Sequence, residues 1–69
     1  MKKFSERLKE LRTEKNVMQF TLAYQCGLSA RQIIRYEQGT SEPTLSALIK
    51  LADFFDVSLD YLVGRERDD

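Results

Sequence analysis

Apolar residues near the start of the chain recur with the spacing of one helix face. Phe4, Leu8 and Leu11 stand at i, i+4 and i+7, and the positions between them are mostly charged. Charged residues at those positions suit the side of a helix that faces water. We therefore predict a first helix over about residues 4–15, with Asn16 closing it.

A second, shorter apolar stripe follows. Leu22, Ala23 and Cys26 share one face of a helix that we predict from about Gln19 to Cys26. The small side chain of Ala23 allows another helix to cross closely. Gly27 then supplies a residue that readily adopts the left-handed backbone conformation needed at a turn.

The stretch from Ser29 to Gly39 carries strong signals for both ends of a helix, which we predict over residues 30–38. Ser29 is a good N-cap, and Gln32 three residues later completes a capping box. Gly39 suits the left-handed position that follows a helix. Together with the preceding helix and turn, this segment has the organisation of a helix-turn-helix.

The two sides of this third helix differ in chemistry. Ile33 and Tyr36 are three residues apart and share a face that can be buried. Arg31 and Arg35 are four residues apart on nearly the opposite side, with Gln38 near them. A helix held from behind that presents hydrogen-bond donors fits a surface rich in acceptors, such as the major groove of DNA.

Two further helices are predicted after a polar loop. Pro43 keeps the preceding residue out of the helical region, and Thr44 is a ready N-cap for a helix over about residues 45–55. Ser58 caps a last short helix from Leu59 to Val63, ending at Gly64. We expect the apolar stripe of the fourth helix to comprise Leu45, Leu48, Ile49, Ala52 and Phe55, flanked by Leu51 and Phe54.

No stretch of the chain has the alternating pattern of a β-strand, so we predict an all-α fold of five helices. The 69 residues suffice for one small domain. We place this domain at residues 1–64 and a solvated C-terminal tail at residues 65–69.

The composition argues against several functional classes. The chain has one cysteine, Cys26, and no histidine, which disfavours disulfides, zinc sites and histidine-dependent triads. Without paired carboxylates in an apolar setting or a phosphate-cradling glycine loop, we expect no enzyme, cofactor, metal or small-molecule ligand. We expect Cys26 to fill the core, with a redox sensor as the alternative.

The longest apolar runs are only a few residues long, and the lysines at the N-terminus are not followed by an apolar stretch. Neither a membrane span nor a signal peptide is therefore expected. We therefore interpret the chain as a cytoplasmic protein.

Charge is distributed unevenly along the chain, although the net charge is zero. Residues 1–35 hold eight basic and three acidic residues, and residues 36–69 hold three basic and eight acidic residues. If the first half forms one surface, that surface is basic and suited to phosphate. The alternative is that these charges merely belong to solvated helix faces.

The spaced pattern resembles the phage-repressor and Cro-type helix-turn-helix proteins, the XRE family, over roughly residues 4–64. The segments that carry the resemblance are ERLKELRTEKNVMQ, LAYQCGLSARQIIRYEQG, EPTLSALIKLADFF and VSLDYLVG. It implies a compact, lambda-repressor-like domain whose helix-turn-helix comprises the second and third helices.

The family resemblance also implies roles for individual residues. The third helix would lie in the major groove, with Ala30, Arg31, Gln32 and Arg35 as DNA base contacts. In each case an alternative stays open. Either arginine could instead bind only phosphate, Gln32 could be occupied by the capping box, and Ala30 could simply allow close approach.

Three further positions are implied to contact phosphate, namely Gln19, Thr40 and Ser41. The last two lie in a loop that begins at Gly39, and this loop would offer main-chain N–H groups and hydroxyls to phosphate. Gln19 could instead brace the third helix or be a plain surface residue. Arg12 and Glu37 match a family ion pair that ties the first helix to the end of the third.

The sequence departs from the family pattern at four positions. Met18 replaces the usual serine or threonine and cannot cap the second helix. Phe20, Tyr24 and Ile34 stand where polar or small residues are usual. Ile34 could contact a thymine methyl group or a sugar, or could pack against the neighbouring helix.

From these observations we predict a sequence-specific regulator of transcription that binds double-stranded DNA, expected to be a repressor and a homodimer on a two-fold operator. The last helix would serve either to cover the core or to form the dimer interface. The alternative function is a protein-interaction module, of the antitoxin or anti-regulator type, that uses a surface formed by Phe20, Tyr24 and Ile34.

Overall fold

The computed structural model describes residues 1–65 and forms five helices within them. They are α1 (Lys2–Glu14), α2 (Gln19–Gln25), α3 (Ala30–Gln38), α4 (Leu45–Phe55) and α5 (Leu59–Val63). No strand occurs in this part of the chain. The all-α class and the number of helices predicted from the sequence are confirmed, and the third and fourth helices have the predicted bounds.

The ends of the first two helices differ slightly from those predicted. α1 begins at Lys2 rather than near residue 4, because the carbonyl of Met1 already accepts a hydrogen bond from the N–H of Ser5 at 3.1 Å. Asn16 closes the α1 turn in the left-handed conformation with φ 57°. Cys26 is the cap residue of α2 rather than its last helical residue.

Hydroxyl side chains fix the start of the three later helices. Ser29, Thr44 and Ser58 each accept a hydrogen bond from the main-chain N–H three residues later. A cap of this kind contributes about 1 kcal/mol, because it satisfies a donor that has no partner within the helix. These local contacts set where α3, α4 and α5 begin.

The core brings together residues from all five helices. The rings of Phe4 in α1 and Tyr36 in α3 meet edge to face, with centroids 5.7 Å apart, a favourable geometry for two aromatic side chains. The largest fully buried side chains are Phe4, Leu8, Leu22, Ile33, Leu51 and Leu62. α3 is therefore fixed from behind by the core.

The predicted apolar stripe of α4 was wrong in part. Leu45 and Ile49, which we expected within it, are exposed, whereas the buried residues are Ala47, Leu51, Ala52 and Phe55. Most residues of α4 are apolar, so hydrophobic periodicity alone leaves the buried side ambiguous. Packing of the neighbouring helices decides it.

The C-terminal helix is attached to α1. The Arg7 guanidinium donates to the carbonyl of Tyr61 at 2.6 Å and lies 4.1 Å from the centre of its ring. The N–H of Arg65 donates to the carbonyl of Asp60 at 2.7 Å. Arg65, predicted to start a solvated tail, therefore helps to close α5, and the rest of that tail, residues 66–69, lies outside the described residues.

Candidate nucleic-acid interface

The N-terminus of α3 is held by two reciprocal hydrogen bonds. Ser29 Oγ accepts from the N–H of Gln32 at 3.1 Å, and Gln32 Oε1 accepts from the N–H of Ser29 at 2.9 Å. Gly39 follows the helix in the left-handed conformation with φ 76°. The capping box and the glycine stop predicted from the sequence are both present, and they define a helix of fixed length.

α3 presents one face to solvent, which we call the outer face and define as Arg31, Ile34, Arg35 and Gln38. All four residues are exposed, whereas Ile33 on the opposite side is fully buried. The two arginine side chains lie four residues apart on the same side of the helix. Their guanidinium groups offer hydrogen bonds and positive charge to an acceptor-rich partner.

Two of the predicted base contacts, Ala30 and Gln32, are engaged within the fold. Ala30 is half-buried and packs against the core. Gln32 is exposed, but its carbonyl oxygen is used by the capping box, and its Nε2 lies 3.5 Å from the hydroxyl of Tyr36. The structure thus places Gln32 in the capping role that the sequence left as an alternative.

A partly buried polar network connects the helices behind the outer face. Arg12 Nε donates to Glu37 Oε2 at 2.6 Å, and Arg12 Nη2 donates to Glu37 Oε1 at 3.2 Å. Gln19 Nε2 donates to the same Oε1 at 3.0 Å, and Arg12 Nη1 donates to the carbonyl of Val17 at 2.9 Å. The structure therefore brings Arg12, Glu37 and Gln19 together at the junction of α1, α2 and α3.

This network has consequences for a partner that carries negative charge. The Glu37 side chain is only 4 % exposed, and a buried carboxylate without a partner is strongly unfavourable. Arg12 supplies the compensating charge, so Glu37 does not repel phosphate near the interface. One amide hydrogen of Gln19 bonds to Glu37, and the amide carries a second hydrogen.

The loop after α3 uses its first main-chain donors internally. The N–H of Gly39 donates to the carbonyl of Tyr36 at 3.2 Å, and the N–H of Thr40 donates to the carbonyl of Arg35 at 3.1 Å. These two amides end the helix, so they are engaged and not presented to phosphate as we expected from the sequence. Thr40 is exposed, and its hydroxyl donates to the same carbonyl of Arg35 at 3.4 Å. Ser41 is half-buried and carries a second hydroxyl group.

Basic residues of α1 and of its C-cap, Lys15, divide into two groups. Arg7 and Arg12 are engaged with Tyr61 and Glu37 as described above, and Lys15 Nζ donates to the carbonyl of Phe54 at 3.3 Å. Lys2, Lys3 and Lys9 are exposed. The basic charge counted in the first half of the chain is thus partly used to join helices, and only part of it is offered to solvent.

The start of α2, like that of α1, has no side-chain cap, as the sequence of α2 predicted. Met18 occupies the N-cap position without a side-chain hydrogen bond and is 69 % exposed. Phe20 is 71 % exposed and Tyr24 is 78 % exposed, four residues apart on α2. Large apolar side chains at such exposure contribute little to the core.

One residue that sequence analysis missed supports the site. Ser5 is buried in α1, and its hydroxyl donates to the carbonyl of Tyr36 at 2.6 Å near the end of α3. The only signal for it was a small polar residue beside Phe4 at the buried edge of the first helix. Nothing in the sequence identified its partner.

Within residues 1–65, no group of histidine, cysteine and carboxylate residues is arranged to hold a metal ion. No helix of this part combines the length and hydropathy that crossing a bilayer requires.

Known proteins share both the sequence pattern and the fold. A family model described as helix-turn-helix, HTH_3, matches residues 8–62. The HTH-type transcriptional regulator AnsR of Bacillus subtilis is 44 % identical over 63 residues, which cover 90 % of this chain and 53 % of that protein. The cryptic phage CTXphi transcriptional repressor RstR of Vibrio cholerae is 38 % identical over 63 residues, which cover 91 % of this chain and 56 % of that protein.

Two solved structures have closely similar folds. The P22 c2 repressor in complex with a synthetic operator superposes with a TM-score of 0.88 at 26 % identity, covering 96 % of this chain and 100 % of that one. The restriction-modification controller protein C.AhdI from Aeromonas hydrophila superposes with a TM-score of 0.82 at 38 % identity, covering 88 % and 92 %. The chain spans about half the length of the curated relatives it matches.

Proposed function

The chain belongs to the helix-turn-helix family whose model it matches, and we propose that it is a sequence-specific regulator of transcription that binds double-stranded DNA with α3 in the major groove. The observation that carries the proposal is the outer face of α3. Arg31 and Arg35 are exposed on a helix fixed from behind by buried Ile33 and Tyr36 and capped at both ends.

The proposed division of labour follows from where each side chain lies. Arg31 and Arg35 read base edges, since an arginine can bond to both O6 and N7 of guanine. Gln19, Thr40 and Ser41 bind phosphates, which position the protein without specifying sequence. Gln19 bonds to Glu37 with one amide hydrogen, and the second hydrogen serves phosphate.

The relatives support a regulatory, non-catalytic role. AnsR and RstR carry the names of a transcriptional regulator and a transcriptional repressor, and the P22 c2 repressor was solved with an operator. We propose repression by occupancy of an operator in the cytoplasm, with no catalytic activity. These relatives give no support to a protein-interaction module based on Phe20 and Tyr24.

A homodimer is part of the proposal, because one domain of this size contacts too few base pairs for high specificity. A two-fold operator places two recognition helices about 34–36 Å apart. Leu45 and Ile49 of α4 and Leu59 of α5 are exposed apolar residues outside α3, so they can meet a second copy while α3 remains accessible. Sedimentation velocity of Ile49→Glu beside the unsubstituted protein tests this surface.

The decisive experiment for DNA binding is selection from a random duplex library at about 100 mM salt, where purely electrostatic binding is weakened. We expect a two-fold motif to be enriched. A single half-site would contradict the dimer while leaving sequence recognition intact. A folded protein that enriches no sequence would overturn the proposed function.

Arg31→Ala tests base reading by the outer face. We expect it to lower affinity for the selected site more than for random duplex, because the lost bonds distinguish bases. Lys9→Ala removes an exposed charge from α1 instead and serves as the control, with similar losses on both DNAs. Equal losses for Arg31→Ala on both DNAs would contradict its role in base reading.

A further inference from the structure

Ile34 is a large aliphatic residue of α3 that lies outside the buried core. Its side chain is 37 % exposed. The buried residues of α3 are Ile33, Tyr36 and Glu37, and the half-buried residues packed against the core include Ala30 but not Ile34. Ile34 is therefore outside the buried core, with part of its surface covered and part facing solvent.

The position of Ile34 connects it with the arginines. It follows Arg31 by three residues and precedes Gln38 by four, which makes all three neighbours on the helix surface. Isoleucine is also a poorer helix former than arginine, glutamine or alanine. An isoleucine at this place gives the isolated helix no advantage, and its exposed part is presented on the outer face beside Arg31.

We propose that Ile34 is a specificity-determining residue that contacts the C5 methyl group of a thymine. The inference rests on the proposed function, since it requires α3 to lie in the major groove. The thymine methyl is the apolar group that a base pair displays in that groove, and aliphatic side chains recognise it by excluding water. Ile34 cannot bond to phosphate, so its contribution is confined to base edges and sugars.

The neighbouring arginine predicts where this thymine lies. Arg31 and Ile34 are separated by one turn of α3, so the bases they contact are close together along the groove. We expect the selected half-site to hold a guanine read by Arg31 and, within one or two base pairs, a thymine read by Ile34.

The test removes the methyl group from the DNA rather than only the side chain from the protein. Each thymine of the selected site is replaced in turn by deoxyuridine, which pairs identically and lacks the methyl group. For the unsubstituted protein we expect one thymine per half-site at which deoxyuridine lowers affinity about fourfold, the effect of exposing one methyl-sized group.

The protein variants assign this effect to Ile34. Ile34→Ala should bind thymine and deoxyuridine at that position equally, and Ile34→Val should retain part of the discrimination. Phe20→Ala, which removes an exposed apolar side chain from α2, is the matched control and should keep the full fourfold ratio. Circular dichroism checks that each variant retains its helices.

The outcomes separate this inference from the proposed function. The role of Ile34 would be overturned if Ile34→Ala kept the same ratio of affinities for thymine and deoxyuridine as the unsubstituted protein at every position. It would also be overturned if replacing thymine by deoxyuridine had no effect on binding of the unsubstituted protein at any position. In both cases sequence-specific binding would stand. Failure to select any site would overturn the proposed function and this inference together.

Discussion

The hydroxyl of Ser5 donates a hydrogen bond of 2.6 Å to the carbonyl of Tyr36, joining the first turn of α1 to the last turn of α3. The same buried carbonyl also accepts from the N–H of Gly39 at 3.2 Å, and Ser5 supplies a second hydrogen bond to it from another helix. The bond therefore helps to fix the end of α3 from which the loop proposed to contact phosphate departs. A contact outside the proposed interface thus helps to hold it in place.

Replacing Ser5 tests how much this contact contributes. We expect Ser5→Ala to lower the free energy of unfolding by about 1 kcal/mol, the usual net contribution of one hydrogen bond. Ser46→Ala, at an exposed position of α4, makes the same gain in helix propensity without losing a buried bond. Urea denaturation of both variants gives the comparison, and equal stabilities would contradict the role of Ser5.

The pair of Arg12 and Glu37 should show the asymmetry of buried charges. Glu37→Met leaves the Arg12 guanidinium without its carboxylate and should cost about 3 kcal/mol, whereas the double variant Arg12→Met with Glu37→Met should recover much of that loss. A double-mutant cycle by urea denaturation, with an osmolyte present to keep the single variants folded, measures the coupling. A coupling energy near zero would contradict a specific stabilising interaction between Arg12 and Glu37.

Local chemistry explains which parts of the structure the sequence predicted. The capping box of Ser29 and Gln32 joins residues three apart, so the sequence alone identifies both partners. Ser5 and Tyr36 are separated by 31 positions, and no local rule connects them. The helix ends were accordingly predictable, whereas the contact that holds α3 against α1 was not.

The buried side of α4 and the role of Gln32 were likewise not fully predictable from local sequence rules. α4 is apolar on most of its circumference, so Ile49 was expected in the core and is exposed. On α3 the contrast between Ile33 and Arg31 is sharp, and the buried side was predicted correctly. For Gln32 the sequence offered two roles, and only its distance to Ser29 showed that the capping role is occupied.

Met18 offers a stabilising substitution. It is the N-cap of α2 without a side-chain hydrogen bond, and its side chain is largely exposed. We expect Met18→Thr to raise the free energy of unfolding by about 1 kcal/mol, because the hydroxyl can accept from an unpaired N–H of the first turn. Met18→Ala removes the same side chain without adding an acceptor, so thermal denaturation should show no gain for it.

Because the Cys26 thiol is buried, we expect the protein to lose stability at alkaline pH. Burial raises the pKa of the Cys26 thiol, and the positive charge of Lys50 opposes that rise. The unfolded chain therefore loses the thiol proton at lower pH than the folded protein does. The contribution of the buried, protonated thiol to stability is fully present below about pH 8.5, where an exposed thiol keeps its proton. It is lost as pH rises towards the pKa of the thiol in the folded protein.

Cys26→Ala isolates this contribution from those of other groups. Under reducing conditions, the free energy of unfolding of the unsubstituted protein should decline more steeply between about pH 8 and 10 than that of the variant. Parallel declines would contradict the burial effect. A thiol that reacts in the native state at the rate of a free thiol would instead favour the redox-sensor alternative.

Gln32 allows capping and base recognition to be separated with one pair of variants. Gln32→Ala removes the acceptor for the N–H of Ser29 and should cost about 1 kcal/mol in unfolding free energy. Gln32→Glu keeps an acceptor at the same place, since glutamate serves equally in a capping box, and should be nearly as stable as the unsubstituted protein.

The same variant also tests base recognition by Gln32. An amide is needed to donate to and accept from adenine together, and a carboxylate cannot do so. If Gln32 acts through the cap, Gln32→Glu will select the same DNA motif with lower overall affinity, because its added charge repels phosphate at every site alike. Loss of one adenine from the selected motif would instead show that Gln32 leaves the cap to read a base.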